Sequence, residues 1–177
     1  MKTLVLIGGI SQNSLSKTVY NQIVKHNNTN LTFGTFDISA LPYFSQDLEN
    51  NPPQTVKDLQ NAVKQADAVI FITPEYNRSF PGVLKNAIDW ATRPYGQNLW
   101  NEKPAAIVGV SLGKIGGFGA VQHLKNVCSF LNMNVMNQPE VYLDASSSME
   151  NGEFVPDTVE FLQMVLKNFE NWVEKTK

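Results

Sequence analysis

Short hydroxyl and amide side chains cluster behind a glycine pair in the segment GGISQNSLSK, residues 8–17. Ser11, Asn13, Ser14 and Ser16 are donors of the kind that surround a phosphate group where a helix begins. The glycines permit a tight turn and close approach of the backbone to a ligand. The alternative is an ordinary helix cap, in which Ser14 or Asn13 satisfies the first free amides. Because four donors follow one apolar run, we expect a phosphate-binding loop.

This loop differs from the common nucleotide-binding signatures. The glycine pattern GxGxxG of dinucleotide-binding folds is absent, and so is the GK[ST] ending of a nucleoside-triphosphate loop. A monophosphate such as that of FMN therefore fits the segment better. The candidate cofactor-binding residues here are Gly9, Ser11, Gln12, Asn13, Ser14, Leu15 and Ser16.

A second candidate segment, TPEYNRSFPG at residues 73–82, contains two prolines. Proline fixes the backbone where the chain leaves an apolar run, and proline also suits the first turn of the helix that follows. The residues between them can offer main-chain groups to the edge of an isoalloxazine ring and a tyrosine ring to one of its faces. The candidate ligand-binding residues are Pro74, Glu75, Tyr76 and Asn77.

The same segment also fits a purely structural turn. In that interpretation Tyr76 is a half-buried aromatic residue and Glu75 pairs with Arg78 or Lys85. A third segment, SLGKIGG at residues 111–117, favours the binding interpretation because its glycines let the backbone approach the other side of a ring. The candidates there are Ser111, Gly113 and Gly116.

Short apolar runs rich in branched residues precede these segments, as is typical of strands buried on both faces. They lie at residues 3–7, 31–36, 68–72 and 105–110, with a fifth near 134–143. Helical periodicity covers residues 14–26, 55–66, 81–91, 117–131 and 157–174. The alternation predicts a parallel sheet covered on both sides, whose ligands bind beyond the carboxyl ends of its strands. The three polar segments all follow such ends.

Composition and charge argue against several classes of function. The 177 residues suit a single domain, 1–177, and the net charge of -2 without a block of Lys or Arg argues against a nucleic-acid partner. The N-terminal apolar run is too short for a signal segment or a spanning helix, so we expect a cytoplasmic protein without a membrane partner. No His, Cys and carboxylate set has the spacing of metal ligands, so we expect no metal site.

The chain resembles the NAD(P)H-dependent FMN reductases of flavodoxin-like fold, which include quinone, azo-dye and chromate reductases. The resemblance rests on GGISQNSLS, on PEYN followed by PGVLKNAIDW, on SLGKIGGFGA and on LPYFSQDLENNPPQTV. It implies a doubly wound five-stranded parallel sheet in a three-layer α/β/α arrangement. It also implies that residues 9–16 hold the FMN phosphate, that Pro74–Asn77 hold the isoalloxazine, and that Ser111 lies near the ring.

The first loop departs from the family pattern. Many members carry an arginine where this chain has Ser11, and often a serine where it has Gly9. Loss of the guanidinium removes a charge-assisted contact worth about 1.5–3 kcal/mol. We therefore expect FMN binding to be retained but weaker, with Lys17 or the helix terminus compensating in part.

The resemblance implies that FMN carries the chemistry and that no side chain is catalytic. A flavin takes a hydride from NADPH or NADH and passes two electrons to a quinone, a free flavin, an azo compound or a similar small acceptor. It also implies a homodimer or a tetramer. Trp90, Tyr95 and Trp100 cluster around the helix after PEYN and are candidate interface residues, although they could equally close the core of a monomer. The alternative function is a flavodoxin-type electron carrier with protein partners, but such carriers are usually strongly acidic.

Overall fold

The computed structural model describes residues 1–176. A parallel sheet forms the centre of the protein. Its main strands are β1 (Lys2–Ile7), β2 (Thr32–Thr35), β3 (Ala68–Thr73), β4 (Pro104–Ser111), β5 (Asn134–Val135) and β6 (Val141–Asp144). The order is β2-β1-β3-β4, and both β5 and β6 pair with β4 in parallel. The fifth position of the sheet is thus filled by one strand in two pieces, which confirms the predicted doubly wound, flavodoxin-like sheet.

Two helical layers cover the sheet. The helices are α1 (Leu15–Lys25), α2 (Gln54–Gln65), α3 (Gly82–Trp90), α4 (Phe118–Phe130), α5 (Ala145–Ser148) and α6 (Pro156–Thr176). One apolar core joins α1 and α6 to one face of the sheet, and a second joins α2, α3 and α4 to the other face. A small antiparallel pair, β7 (Met149–Glu150) and β8 (Glu153–Phe154), precedes α6. The predicted three-layer α/β/α architecture is confirmed.

The second strand differs from the prediction. Residues 31–36 were expected to be buried on both faces, but most of β2 is exposed. The reason is its place at the edge of the sheet, where only one neighbour, β1, covers it. An isolated run of apolar residues does not reveal whether its strand is central or at an edge.

Of the two alternatives for Trp90 and Trp100, the subunit interface is wrong and a place in the core of the chain is confirmed. Both side chains are fully buried within the chain. Trp90 Nε1 donates to the Pro42 carbonyl at 2.8 Å, and Trp100 Nε1 donates to the Ile88 carbonyl at 2.9 Å. Buried indole N–H groups need such partners, so these two residues belong to the core. Tyr95, by contrast, is 88% exposed.

Candidate functional site

The loops that follow β1, β3 and β4 meet at the carboxyl edge of the sheet. The Gly8 amide donates to the Ile72 carbonyl at 2.8 Å, and a Cβ at Gly8 would lie 3.4 Å from Pro74 Cδ. The Glu75 carboxylate accepts the amide of Ala120, in the first turn of α4, at 3.2 Å. The structure therefore brings the three polar segments together at one edge.

Within the first loop, Gly9 lies against two serine hydroxyl groups. A Cβ at Gly9 would stand 2.1 Å from Ser14 Oγ and 3.1 Å from Ser16 Oγ. A carbon atom cannot approach an oxygen so closely, so a larger residue at this position requires the Ser14 side chain or the loop to move. The backbone and the two hydroxyls form a compact cradle at the start of α1.

The two serines of this cradle have different roles. Ser14 is the N-cap of α1 and accepts the Ser16 amide at 3.2 Å, as the helix-cap alternative requires. Ser16 Oγ is buried and has no hydrogen-bond partner within residues 1–176. Buried hydroxyl groups are nearly always paired in native proteins. An unpaired hydroxyl at a helix start fits an anionic ligand that supplies the missing partner.

The rest of the first loop is more open. Ser11, Gln12 and Asn13 are exposed, and the side chain of Leu15 packs against the core beneath α1. Lys17 Nζ donates to the Ile10 carbonyl at 3.2 Å, which places an ammonium group beside the loop.

The segment after β3 is a tight hairpin. Tyr76 and Ser79 exchange two backbone hydrogen bonds, of 2.8 and 3.0 Å. Asn77 and Arg78 occupy its turn with φ values of 51° and 67°, as a type I′ turn requires. The backbone of Tyr76 is therefore paired within the hairpin. Tyr76 as a whole is 52% exposed, so its side chain is free to make further contacts.

The Glu75 carboxylate makes two contacts, one within the hairpin and one with α4. The carboxylate lies 3.3 Å from Arg78 Nη1, which is the ion pair of the structural alternative. The same carboxylate accepts the Ala120 amide, near the positive end of the α4 dipole. The side chain thus holds the hairpin against α4, so a role in ligand binding falls to its main chain.

In the segment after β4, backbone conformation and close packing against neighbouring strands require glycine at two positions. Gly116 and Gly117 have φ values of 58° and 82°. A Cβ at Gly116 would lie 2.4 Å from the carbonyl carbon of Tyr142 in β6. Ser111 Oγ donates to the Gly113 carbonyl at 3.0 Å, which closes the turn after the strand. A Cβ at Gly113 would meet no atom closer than 4.0 Å, so this glycine has open space beside it for a ligand.

Helix α3 also positions a fourth loop, the one after β2. Asn86 Oδ1 accepts the Phe44 amide at 2.8 Å, and Asn86 Nδ2 donates to the Pro42 carbonyl at 2.9 Å. Trp90, one turn further along α3, donates to the same carbonyl. Sequence reasoning missed the role of Asn86, although its spacing of four residues from Trp90 places both on one face of α3.

Exposed apolar side chains lie in each of the four loops at this edge and at the first residue of α4. They are Ile10, Tyr43, Tyr76, Leu112, Ile115 and Phe118. We call this set the apolar rim. Isolated exposed apolar residues are common, but several on adjoining loops are typical of a small-molecule site.

Comparison with known proteins gives this arrangement a family context. The model of a family described as NADPH-dependent FMN reductase matches residues 1–147. A 2-hydroxy-1,4-benzoquinone reductase from a Burkholderia species is 40% identical over 176 residues, 98% of this chain and 96% of that protein. A quinone reductase from Pseudomonas putida is 40% identical over 173 residues, 96% of this chain and 93% of the relative.

A solved structure extends the similarity to the coordinates. FerB, described as a flavoenzyme NAD(P)H:(acceptor) oxidoreductase from Paracoccus denitrificans, superposes with a TM-score of 0.92 at 39% sequence identity. The match covers 99% of this chain and 98% of FerB.

Proposed function

We propose that this chain, which belongs to the NADPH-dependent FMN reductase family, uses bound FMN to transfer two electrons from NADPH or NADH to a quinone. A free flavin, an azo compound or a similar small acceptor can take the same place. The quinone reductases at 40% identity over nearly the whole chain support this acceptor class. The observation that carries the proposal is the cradle of Gly9, Ser14 and Ser16, with its buried unpaired hydroxyl.

The residues of the cradle fit the phosphate end of FMN. Ser16 Oγ has a proton to donate, the start of α1 is the positive end of the helix dipole, and Lys17 adds a positive charge. Gly9 keeps the backbone close enough for these donors to converge. We assign the phosphate to residues 9–16 on this basis, with the ammonium of Lys17 in place of the family arginine.

The hairpin and the loop after β4 are assigned to the isoalloxazine end. FMN supplies a ring system that takes up and releases two electrons, for which side chains of this chain are not suited. We assign the main chain of Pro74, Glu75 and Asn77 to one side of the ring and Gly113 to another, since a Cβ at Gly113 would meet no atom closer than 4.0 Å. The exposed Tyr76 ring and the apolar rim exclude water and offer flat apolar contacts to a planar acceptor.

A spectroscopic experiment tests the proposed function. We expect purified protein, after reconstitution with FMN, to show bound-flavin absorbance that NADPH bleaches rapidly under anaerobic stopped-flow conditions, without a protein partner. Addition of a benzoquinone should restore the absorbance. Bound flavin that neither NADPH nor NADH bleaches would favour the electron-carrier alternative, and failure to bind FMN would refute both functions.

For the assembly, we propose a homodimer, or a tetramer of two dimers, of a single-domain chain (1–177) in the cytoplasm. Tyr95 and Phe130 are 88% and 89% exposed and flank a cavity of about 690 Å³ between α3 and α4. Exposed aromatic residues are enriched in interface cores, which supports a second copy as the occupant of this face. Within residues 1–176, the structure contains no helix long and apolar enough to cross a membrane.

The proposed interface predicts the effect of a charge at position 130. Phe130→Glu should convert the protein to a monomer in sedimentation velocity, because burying an unpaired carboxylate in an interface is costly. Val24→Glu, on α1 at the opposite side of the sheet, is the matched control and should leave the oligomeric state unchanged. An unchanged sedimentation coefficient for Phe130→Glu would place the interface elsewhere.

A further inference from the structure

A second cavity adjoins the proposed phosphate site. It has a volume of about 390 Å³, lies between α1 and the end of β2, and shares Gly9 and Ile10 with the first loop. This volume is within the range of small-molecule sites, about 300–1,000 Å³. FMN ends at its phosphate group. If that phosphate lies in the cradle, the cavity lies beyond the last atom of FMN. Only a ligand with a further group attached to the phosphate, or a second ligand, can then fill the cavity.

The cavity walls offer both apolar and charged contacts. Ile7, Ile10 and Phe36 contribute apolar surface of the kind that a purine base packs against. The Lys17 ammonium stands in the wall shared with the first loop, where its contact with the Ile10 carbonyl holds it. A cation in this place can neutralise a second phosphate group attached to the first. The combination suits a phosphorylated nucleoside.

A carboxylate lies on the β2 side of the cavity. Asp37 follows β2 and accepts hydrogen bonds from the Ser39 hydroxyl and amide, at 2.6 and 3.0 Å. These hydrogen bonds lower the pKa of Asp37, so the side chain is an ionised acceptor at neutral pH. In dinucleotide-binding folds, an acidic residue after the second strand binds the ribose hydroxyls. Asp37 has the same relation to the first loop, although that loop lacks the dinucleotide glycine pattern.

We propose that this cavity binds the adenylate half of a dinucleotide, with the ribose at Asp37, the base against Phe36 and the second phosphate at Lys17. The inference rests on the proposed function, in that the adjoining loop holds a flavin phosphate. Two dinucleotides carry this chemistry. One is FAD, whose adenylate continues directly from the flavin phosphate, and the other is the nicotinamide dinucleotide that donates electrons.

The first experiment uses AMP as the probe and protein already loaded with FMN, so that the cradle is occupied. AMP should bind to the wild type in isothermal titration calorimetry. Asn21→Trp places a large side chain into the cavity from α1 and should weaken AMP binding at least tenfold. Val24→Trp lies on the same helix outside the cavity and should bind AMP as the wild type does.

The outcomes separate this inference from the proposed function. The absence of AMP binding to the FMN-loaded wild type, or equal AMP affinity in the wild type and Asn21→Trp, would overturn the adenylate site. Retention of FMN in all three proteins would leave the proposed function intact in either case. Failure of the wild type to retain FMN would instead refute the proposed function.

Two further measurements identify the source of the adenylate. If apoprotein binds FAD more tightly than FMN and Asn21→Trp removes the difference, the ligand is the flavin dinucleotide. If Asn21→Trp instead raises KM for NADH, the ligand is the nicotinamide dinucleotide. In that case Asp37→Asn should raise kcat/KM for NADPH relative to kcat/KM for NADH. The substitution removes a carboxylate that repels the 2′-phosphate but retains the oxygen that accepts the Ser39 amide. Absence of all these effects would contradict the proposed site.

Discussion

Gly9→Ala should lower the affinity for FMN by about two orders of magnitude. The added Cβ would stand 2.1 Å from Ser14 Oγ, so either the loop backbone or the capping serine must move. Movement of either breaks the convergence of donors on the phosphate. Loss of one or two hydrogen bonds to a charged group costs about 1.5–3 kcal/mol each, and every 1.4 kcal/mol is about tenfold in affinity.

The measurement is fluorescence titration of the apoprotein with FMN and with riboflavin, which lacks the phosphate. We expect a large loss for FMN and a small loss for riboflavin. Gly82→Ala is the matched control because a Cβ at Gly82 would meet no atom within 4 Å, and alanine favours the helix that begins there. Equal losses for the two ligands in Gly9→Ala would refute the assignment of the phosphate to this loop.

The fold was largely predictable because burial imposes a simple pattern on the sequence. The four clear apolar runs correspond to β1, β2, β3 and β4, and the predicted helices match α1, α2, α3, α4 and α6 to within two residues at each end. The predicted first helix, 14–26, includes the two caps, Ser14 and His26, that the structure places at the ends of α1. Periodicity and capping chemistry are local properties, so one sequence reveals them.

Properties that depend on distant parts of the chain were not predictable. The exposure of β2 follows from its edge position, and the interruption of the fifth strand at residues 136–140 follows from separate pairing of β5 and β6 with β4. The burial of Trp90 depends on the Pro42 carbonyl, 48 residues away. No local pattern contains this information.

The structure brings the three segments singled out in the sequence to one edge of the sheet, but the sequence did not reveal what each side chain contacts. The hairpin at Tyr76 requires positive φ at Asn77 and Arg78, and arginine is an unusual residue for that conformation. Glu75 was a candidate ligand-binding residue, but its carboxylate links the hairpin to α4. The cavity at Asp37 was missed because it forms between elements, α1 and β2, that a linear reading treats separately.

Gly116→Ala should cause the largest loss of stability among single methyl additions in the loops of the candidate site. The residue has a φ of 58°, and its Cβ would lie 2.4 Å from the carbonyl carbon of Tyr142 and 2.8 Å from the Leu143 amide nitrogen. Both are backbone atoms of β6, which cannot yield without disturbing its pairing with β4. A left-handed conformation costs alanine about 1–2 kcal/mol, and overpacking a filled region costs about 1–3 kcal/mol more.

Urea denaturation of the apoprotein should therefore show that Gly116→Ala lowers the free energy of unfolding by about 2–5 kcal/mol, the sum of the two costs. Gly113→Ala, three residues earlier in the same loop, is the control because its Cβ would have open space, and it should change the free energy by less than about 0.5 kcal/mol. Because Gly116 anchors the loop to β6 and Gly113 leaves space for a ligand, the two variants separate packing from binding. If Gly116→Ala lowers the free energy of unfolding by less than about 1 kcal/mol, the clash with β6 is absent and the loop can move away from that strand. A loss that small is typical of a surface substitution.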